Sequence, residues 1–587
     1  MKIKLLYKKN YNFLKTIKTN NGDIMSKEEN KEILLLHKGK FIWKFVVSIL
    51  LNVLLLIIPI YYSKLIDALS VSDFNNAYLF IIVFGSLTIL FRIIDYFNQK
   101  AYFWLYLALY KSYMDLGLTK TFNNSLYSLS RFSLSEYSNI MSEDFEMISD
   151  YYSTLVIRIV EILEFLYIII YFFFINSLIG LITLISSSVV IFILFYFNKF
   201  ISNVNTERKL RNDKRISLFQ EIFLGVKTIK GFNILKVIKN RLNNAIDDYI
   251  KWHTKLNMNR YSLREVGLGI VDVFKIISLV IGIRLIMIGN MTLGTITIIY
   301  SYYSKLSELF TSIIVLSESL NNKKVSEKRV MKLFQYATNH EVDSSNNNDV
   351  LGNISFKNAL YGNKISPLLN NVSFDINNKS LTILSGSVKS CEGVFDLLLR
   401  YNRLHEGNIL IDNVNLSEYS SENISNIMGF VMEYPTFFNT SIRENLSIFD
   451  SNFENILSVC KYLDIDSYIM SLEKGYETIL KTDASNIHND VKYLLAFARV
   501  FLKKSKIILI NNILDHVSRP IYDQILKMLI ELSKEHTIIM ITRDINLLKN
   551  KNVSKVIFLA YGKVIGDGKH NKLIKNNEKY KELIYKM

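Results

Sequence analysis

Residues Thr382–Asp412, TILSGSVKSCEGVFDLLLRYNRLHEGNILID, follow the order that a phosphate-binding segment needs: an apolar strand, a Gly/Ser turn, then an apolar helix. In such a segment backbone N–H groups cradle the phosphates. A Lys reaches the outer phosphates and a Ser or Thr hydroxyl holds Mg²⁺, with the spacing G-x-x-x-x-G-K-S/T. Here six residues separate Gly386 from Gly393 where the motif has four, and no Lys-Ser pair follows Gly393. The stretch poses a choice between a nucleotide chemistry that was lost and one that was never present. A second set of chemical candidates is the pair Arg92 and Asp95, three residues apart within an apolar run. Charges inside such a run line a path, pair with each other in the protein interior, or lie at the aqueous interface. The two cysteines, Cys391 and Cys460, are too few for a disulfide framework or a metal site.

These residues need elements to hold them. Half of the 587 residues are hydrophobic and only four are Pro, which argues against a disordered chain. The net charge of +17 lies largely beside apolar segments, in 2–44 and 199–260, as it does on the cytoplasmic flanks of membrane helices. No helix combines basic and base-reading residues, so a membrane, not nucleic acid, is the expected partner. Crossing a bilayer takes ~20 mostly apolar residues. Six segments qualify: about 42–62, a run beginning near Ala77, and about 154–175, 178–198, 266–288 and 292–316.

The link 199–262 carries Arg208, Lys209, Arg211, Lys214, Arg215, Lys227, Lys230, Lys236, Lys239 and Arg241, whereas the links between spans 3 and 4 and between 5 and 6 are nearly free of Lys and Arg. That asymmetry places both termini and the long links in the cytosol. Helical periodicity in ISLFQEIFLGVKTIKGFNILKVIKNRL extends the spans into the cytosol. The basic segment 1–40 lies on the inner leaflet or forms a cytosolic tail, and either Met1 or Met25 is its start. It is too short to hold a leader peptidase, so peptide cleavage is not expected of this chain.

After Phe334 the texture changes. QYATNHEVDSSNNNDVLGN, 335–353, is polar and Asn/Ser-rich as a linker is, and the linker between domains is expected over 326–350. Beyond it LTILSG, NILID, IMGFVM, KIILIN, TIIMIT and KVIFLAYGKVIG alternate with helical patterns, which predicts an α/β domain around a mostly parallel sheet.

Six spans with cytosolic extensions and a C-terminal α/β domain resemble a half-transporter of the ABC exporter family. The local matches are EIFLGVKTIKGFN, LLLRYNRLHEGNILIDNVNLSEY, FFNTSIRENL, LAFARVFLKKSKIILI and VIFLAYGKVIGDGKHNKLI, which cover roughly residues 40–587 in the family's order. The resemblance implies an α-helical six-span transmembrane domain (41–325) fused to an ABC ATPase-like α/β domain (351–587). It also fixes a frame for the catalytic positions. The phosphate loop falls on Ser385–Gly393, so Ser385 and Ser390 stand for loop glycines and Cys391 for the Lys. Glu392 replaces the Mg²⁺-holding Ser/Thr and adds a carboxylate in the helix's first turn. Lys389, two positions early, is a substitute for the missing ammonium or a bystander. Asn511 and Asn512 replace the metal-positioning Asp and the water-activating Glu, Glu433 the Q-loop Gln, and Thr542 the switch His. The signature falls on Ile487, His488, Asn489, Asp490 and Val491, and the D-loop reads DHVS. Tyr361 stacks an adenine or is a core or surface tyrosine.

The resemblance therefore implies a degenerate ATPase domain with no catalytic residues of its own and no metal site. ATP and Mg²⁺ are expected mainly on a partner, in a heterodimer with an intact half-transporter in a bacterial plasma membrane. Alternating access would export a peptide, lipid or hydrophobic compound. The other open reading is a pseudoenzyme that does not pump: a scaffold, an immunity or sensing protein, or a regulatory subunit.

Overall fold

The computed structural model describes residues 27–122, 132, 134–335, 350–363 and 366–585, which fall into two units, one up to residue 335 and one from residue 350. The first unit is built on six long helices: α1 (Lys38–Ser70), α2 (Phe74–Phe122), α3 (Phe145–Ile175), α4 (Ser177–Leu224), α5 (Leu235–Met287) and α6 (Leu293–Gln335). A short helix, Lys27–Leu36, precedes them. At 49 and 53 residues, α2 and α5 run roughly 70–80 Å, more than twice a hydrocarbon core of ~30 Å. The continuous helical extensions expected from the periodicity are therefore present. Helix α6 continues to Gln335, so the first ten residues of the expected linker 326–350 are helical. Its remainder to residue 349 lies outside the described residues, as do residues 1–26.

Among the described residues three helices, α1, α2 and α5, contain an apolar window long enough to cross a bilayer. Only 6 % of the window in α2 is buried within the protein, so its Ile, Leu and Phe side chains are available to lipid. Helix α3 differs from the six-span expectation because Arg158, Glu161 and Glu164 interrupt its apolar run, and Ser, Thr and Tyr dilute α6. One face of each of these helices is buried, where Ile168 and Phe172 of α3 pack with Val271 of α5 and Ile299, Tyr302 and Tyr303 of α6, while Ile162, Leu163, Ile170 and Phe174 on the rest of α3 are exposed. The Tyr303 hydroxyl meets Thr183 Oγ1 at 2.9 Å and Ser278 Oγ at 2.8 Å, which ties α4 and α5 to α6.

The tight turns are capped locally. Asn176 is extended and its Oδ1 accepts the Leu178 N–H at 2.9 Å, starting α4 directly after α3. Asp67 at the end of α1 accepts the Gly294 N–H at 2.7 Å and the Thr292 hydroxyl at 2.9 Å, fixing the start of α6.

The second unit holds two sheets. Strands β1 (Ile354–Gly362), β2 (Pro367–Ile376), β4 (Glu406–Ile411) and β5 (Val414–Asn415) form an antiparallel sheet in the order β2-β1-β4-β5. The larger sheet is β10-β9-β3-β8-β7-β6, from β3 (Leu381–Gly386), β6 (Met428–Val431), β7 (Ile507–Asn511), β8 (Thr537–Ile541), β9 (Lys555–Ala560) and β10 (Lys563–Gly568). Only β10 is antiparallel in it. Alternate residues feed two cores. Ile508, Ile510, Ile538 and Met540 face one cluster, and Ile507, Leu509, Ile539 and Ile541 the other. Helices α7 (Val388–Leu398) and α8 (Asn489–Lys503) supply the opposing apolar faces of these cores.

Candidate functional site

Parallel pairing brings the C-terminal ends of β3, β8 and β7 side by side, with Leu384 opposite Ile541 and Ile541 opposite Asn511. This edge is where an open α/β sheet offers a crevice to a ligand. It gathers the expected phosphate-loop residues, Thr542 and the Asn511-Asn512 pair in one place. The Thr542 N–H donates to Leu384 O at 3.2 Å and the Asn512 N–H to Ile541 O at 2.9 Å.

At the junction between β3 and α7 the strand passes into the helix almost directly. Strand β3 pairs with β9 as far as Gly386, and the Ser387 N–H then donates to Leu559 O at 2.7 Å. Helix α7 starts at Val388, so one residue, Ser387, replaces the loop. Lys389 and Ser390 therefore occupy the first helical turn, which the motif gives to its Lys and Ser/Thr, and Lys389 is exposed. Cys391, which the resemblance sets at the Lys position, is a neutral thiol facing inward. It is fully buried in the apolar cluster with Val394 and Ile541, and burial, then the nearby Glu392, pushes its thiol up to about 12. Glu392 falls in the second turn, not the first, and its carboxylate stays close enough to act on Cys391. What the site lacks is length: the helix leaves the amides of residues 388–390 without intrahelical partners, but no loop curls round to complete a cradle. Gly386 is held at φ +104°, and a Cβ there would sit 2.2 Å from Leu559 O.

At the end of β7 stand two neutral amides. The Oδ1 atoms of Asn511 and Asn512 are buried without a hydrogen-bond partner. Asn512 Nδ2 donates to Glu433 Oε1 at 3.0 Å, and the same oxygen lies 3.2 Å from His516 Nε2. The His516 ring stacks on Tyr493 at 6.0 Å, and the Tyr493 hydroxyl donates to Glu433 O at 3.0 Å. Burial, with Tyr434 and Glu433 adding to it, pushes the Tyr493 phenol up to about 12. The signature positions join this network. Asn489 Nδ2 donates to His516 O at 2.7 Å, and Asp490 accepts the Ser518 N–H at 2.9 Å and its hydroxyl at 2.5 Å. His488 precedes α8 and is exposed, Ile487 packs at the edge of the core, and Val491 is buried. His516 was not among the residues singled out by sequence. The cue for it was present in DHVS, a His where the resemblance gives a small residue.

The test of fit for a magnesium–triphosphate is chemical. The metal-holding and water-activating positions offer carbonyl oxygens with no charge, and Glu433 already accepts two donors. Among the described residues no group of three His, Cys, Asp or Glu side chains is placed to hold a metal ion. The residues do not fit a hydrolytic Mg²⁺ site. Glu433→Ala is expected to destabilise the domain by about 1–3 kcal/mol by orphaning Asn512 Nδ2 and His516. Thermal unfolding of the full chain in detergent checks this, and an unchanged midpoint would show the network to be incidental.

Tyr361 ties β1 to α7. Its ring lies against Gly393, where a Cβ would be 3.1 Å from Cε1, and its hydroxyl accepts from Asn402 Nδ2 at 2.8 Å.

In the helical unit Arg92 is exposed, with its guanidinium 5.5 Å from the Phe91 ring centre, and it forms no ion pair with Asp95 among the described contacts. The nearby charge is Lys44, whose Nζ donates to Asn98 O at 3.0 Å and Asn98 Oδ1 at 2.7 Å, with Asp95 close by. The more deeply placed charges went unnoticed in the sequence: Glu164 of α3 and Lys305 of α6, 3.8 Å apart.

Residues 41–310 match the ABC transporter transmembrane region. The chain superposes on a bacterial Atm1-family ABC exporter solved with ATP bound, with a TM-score of 0.82 and 16 % identity, over 94 % of this chain and 99 % of that one. The fold is that of an ABC exporter half: a membrane helical domain fused to an α/β domain of the ABC ATPase type. Among proteins of similar sequence, the lactococcin-G-processing and transport ATP-binding protein LagD of Lactococcus lactis is 26 % identical over 411 residues, 67 % of this chain and 57 % of that protein. The ATP-dependent lipid A-core flippase of Pasteurella multocida is 24 % identical over 306 residues, 51 % of this chain and 52 % of that protein. The matched region thus spans little more than half the length of these relatives.

Proposed function

We propose that this chain is the catalytically silent half of an ABC exporter of the plasma membrane, both termini in the cytosol, paired with a half-transporter that hydrolyses ATP for both. The observation that carries the reading is the end of β7. Asn511 and Asn512 keep the shape of the acidic pair and remove its charge, and Glu433 is engaged by Asn512 and His516. A divalent ion needs carboxylates and an attacking water needs a base. The one-residue junction at Ser387 supports the same reading, because it leaves Lys389 without a surrounding cradle. The relatives named above transport a peptide bacteriocin and a lipid, so the cargo proposed here is a peptide, lipid or other amphiphile moved outward by alternating access.

A second reading, that the chain assembles with partners without pumping, is favoured by Asp490. This carboxylate on the signature helix is held by Ser518 where the family presents glycines. It would repel a γ-phosphate in the partner's site.

Phosphate release separates the possibilities. The purified chain alone is expected to show no Mg²⁺-dependent ATPase above background, and its complex with the intact half is expected to be active. Activity is expected to survive Asn512→Ala here and to vanish when the partner's phosphate-loop Lys is replaced. Turnover by the isolated chain that Asn512→Ala abolishes would sink the proposal, and an inactive but stable complex would select the second reading.

A further inference from the structure

Glu164 of α3 is almost completely buried, and neither carboxylate oxygen has a hydrogen-bond partner. It lies within the apolar run expected to cross the membrane, where an ionisable group is costly and marks a functional site unless it is paired. Lys305 Nζ is 3.8 Å away, beyond hydrogen-bond distance, and makes its closer contact with Glu308 Oε2 at 3.1 Å. Glu164 is enclosed, whereas the Lys305 side chain is 23 % exposed and Glu308 71 % exposed. Lys305 can therefore move from one acid to the other by side-chain rotation alone. The other charges on these helix faces are already satisfied: Arg158 and Glu161 pair at 2.8 Å and share the Ser312 hydroxyl.

Aromatic rings follow Glu164 along α3 and face it from α6. Tyr167, three residues on, stacks on Tyr171 at 5.8 Å, and Tyr171 packs at 5.4 Å on the ring of Tyr302, whose hydroxyl donates to Leu56 O at 2.8 Å. Phe165 packs edge-on against Phe310 at 6.0 Å on the same pair of helices. A carboxylate beside a group of ring faces is the chemistry that selects a lipophilic cation over a neutral or anionic molecule of the same size.

We propose that Glu164 is the anionic anchor of a binding site for a lipophilic monocation, such as the ammonium group of an amphiphilic cargo, and that Lys305 covers this anchor when the site is empty. Entry of the cargo cation takes over Glu164 and leaves Lys305 on Glu308, its nearer acid at 3.1 Å, so the lysine competes with the ligand for one carboxylate. The inference rests on the exporter reading for its meaning as a cargo site. Its test uses neither nucleotide nor partner, so ATP hydrolysis by this chain would leave it standing.

The probe is tetraphenylphosphonium, with tetraphenylborate, nearly the same shape and opposite in charge, as the control. Saturable binding to the full chain in lipid nanodiscs is measured by equilibrium dialysis. Wild type is expected to bind the cation saturably, Glu164→Gln to weaken it by roughly tenfold or more, and Lys305→Met to tighten it several-fold. Neither substitution is expected to strengthen tetraphenylborate binding in the same direction. Opposite shifts from the two substitutions separate a competing lysine from a merely structural ion pair, whose loss on either side would weaken binding alike. Cation binding that is absent, or indifferent to Glu164→Gln, or weakened by Lys305→Met, overturns the proposal.

Discussion

Cys391→Lys is expected to destabilise the α/β unit by about 3–5 kcal/mol and to create no ATPase activity. On sequence alone this substitution looks like a repair, since it writes a Lys into the position the aligned motif gives to one. In the structure Cys391 is 0 % exposed, in the core patch it shares with Leu384, Val394 and Ile557. An ammonium there would lose its water inside an apolar patch. Cys391→Ala is the companion, expected to cost about 1 kcal/mol for the smaller volume. The thiol itself, held up at about 12, is expected to resist maleimide until the domain unfolds. Thermal unfolding of the full chain with maleimide trapping reads both effects. A Cys391→Lys protein that melts with wild type and binds ATP more tightly would restore the frame in which residue 391 faces the phosphates.

Gly386→Val is the second large effect, expected at about 3 kcal/mol or more from two independent sources. A β-branched residue at φ +104° is strained by roughly 1–3 kcal/mol, and overpacking adds a similar amount. The obstacle is the Leu559 carbonyl oxygen, 2.2 Å from the added Cβ. Because it belongs to the backbone of a paired central strand, no rotamer change can move it aside. The expected outcome is loss of soluble, monodisperse protein after extraction, with Ser387→Ala as a neighbour that stays close to wild type. Normal yield and melting for Gly386→Val would mean that the β3–α7 junction is looser than drawn.

Both predictions turn on a point the sequence conveyed only in part. The strand LTILSG and the helix after it were legible from alternation and periodicity, because buried parallel strands read as β-branched runs. The length of the connection between them was not. Flanking anchors leave the length of that connection open, whereas the Ser387 hydrogen bond to Leu559 and the helix start at Val388 leave a single residue between strand and helix. Lys389 and Ser390 stand in the first helical turn, and Cys391 lies in the core. Likewise the apolar segments located the six long helices but not their ends: α4 continues to Leu224, α5 starts at Leu235 and α6 continues to Gln335, well outside the segments 178–198, 266–288 and 292–316. Attention to Arg92 and Asp95 missed Glu164, whose neighbours Arg158 and Glu161 lie at i,i+3 spacing along α3 and form a stripe visible in the sequence. Partners in another helix, such as Lys305 and Ser312, have no local signature. Long-range pairs of that kind become readable only once the chain is folded.

Those distant partners bear on how the protein is made. Translation completes α3 more than a hundred residues before α6 emerges, and in that interval Arg158 and Glu161 have only each other while Glu164 has no lysine from α6 beside it. Each charge near the middle of a bilayer disfavours insertion by roughly 2.5–3.5 kcal/mol. The nascent third helix is therefore expected to linger at the insertion machinery or slip back out. Chains truncated before residue 293 become natural clients of membrane proteases, and Ser312 and Lys305 serve as the late clasp that commits the bundle to its place.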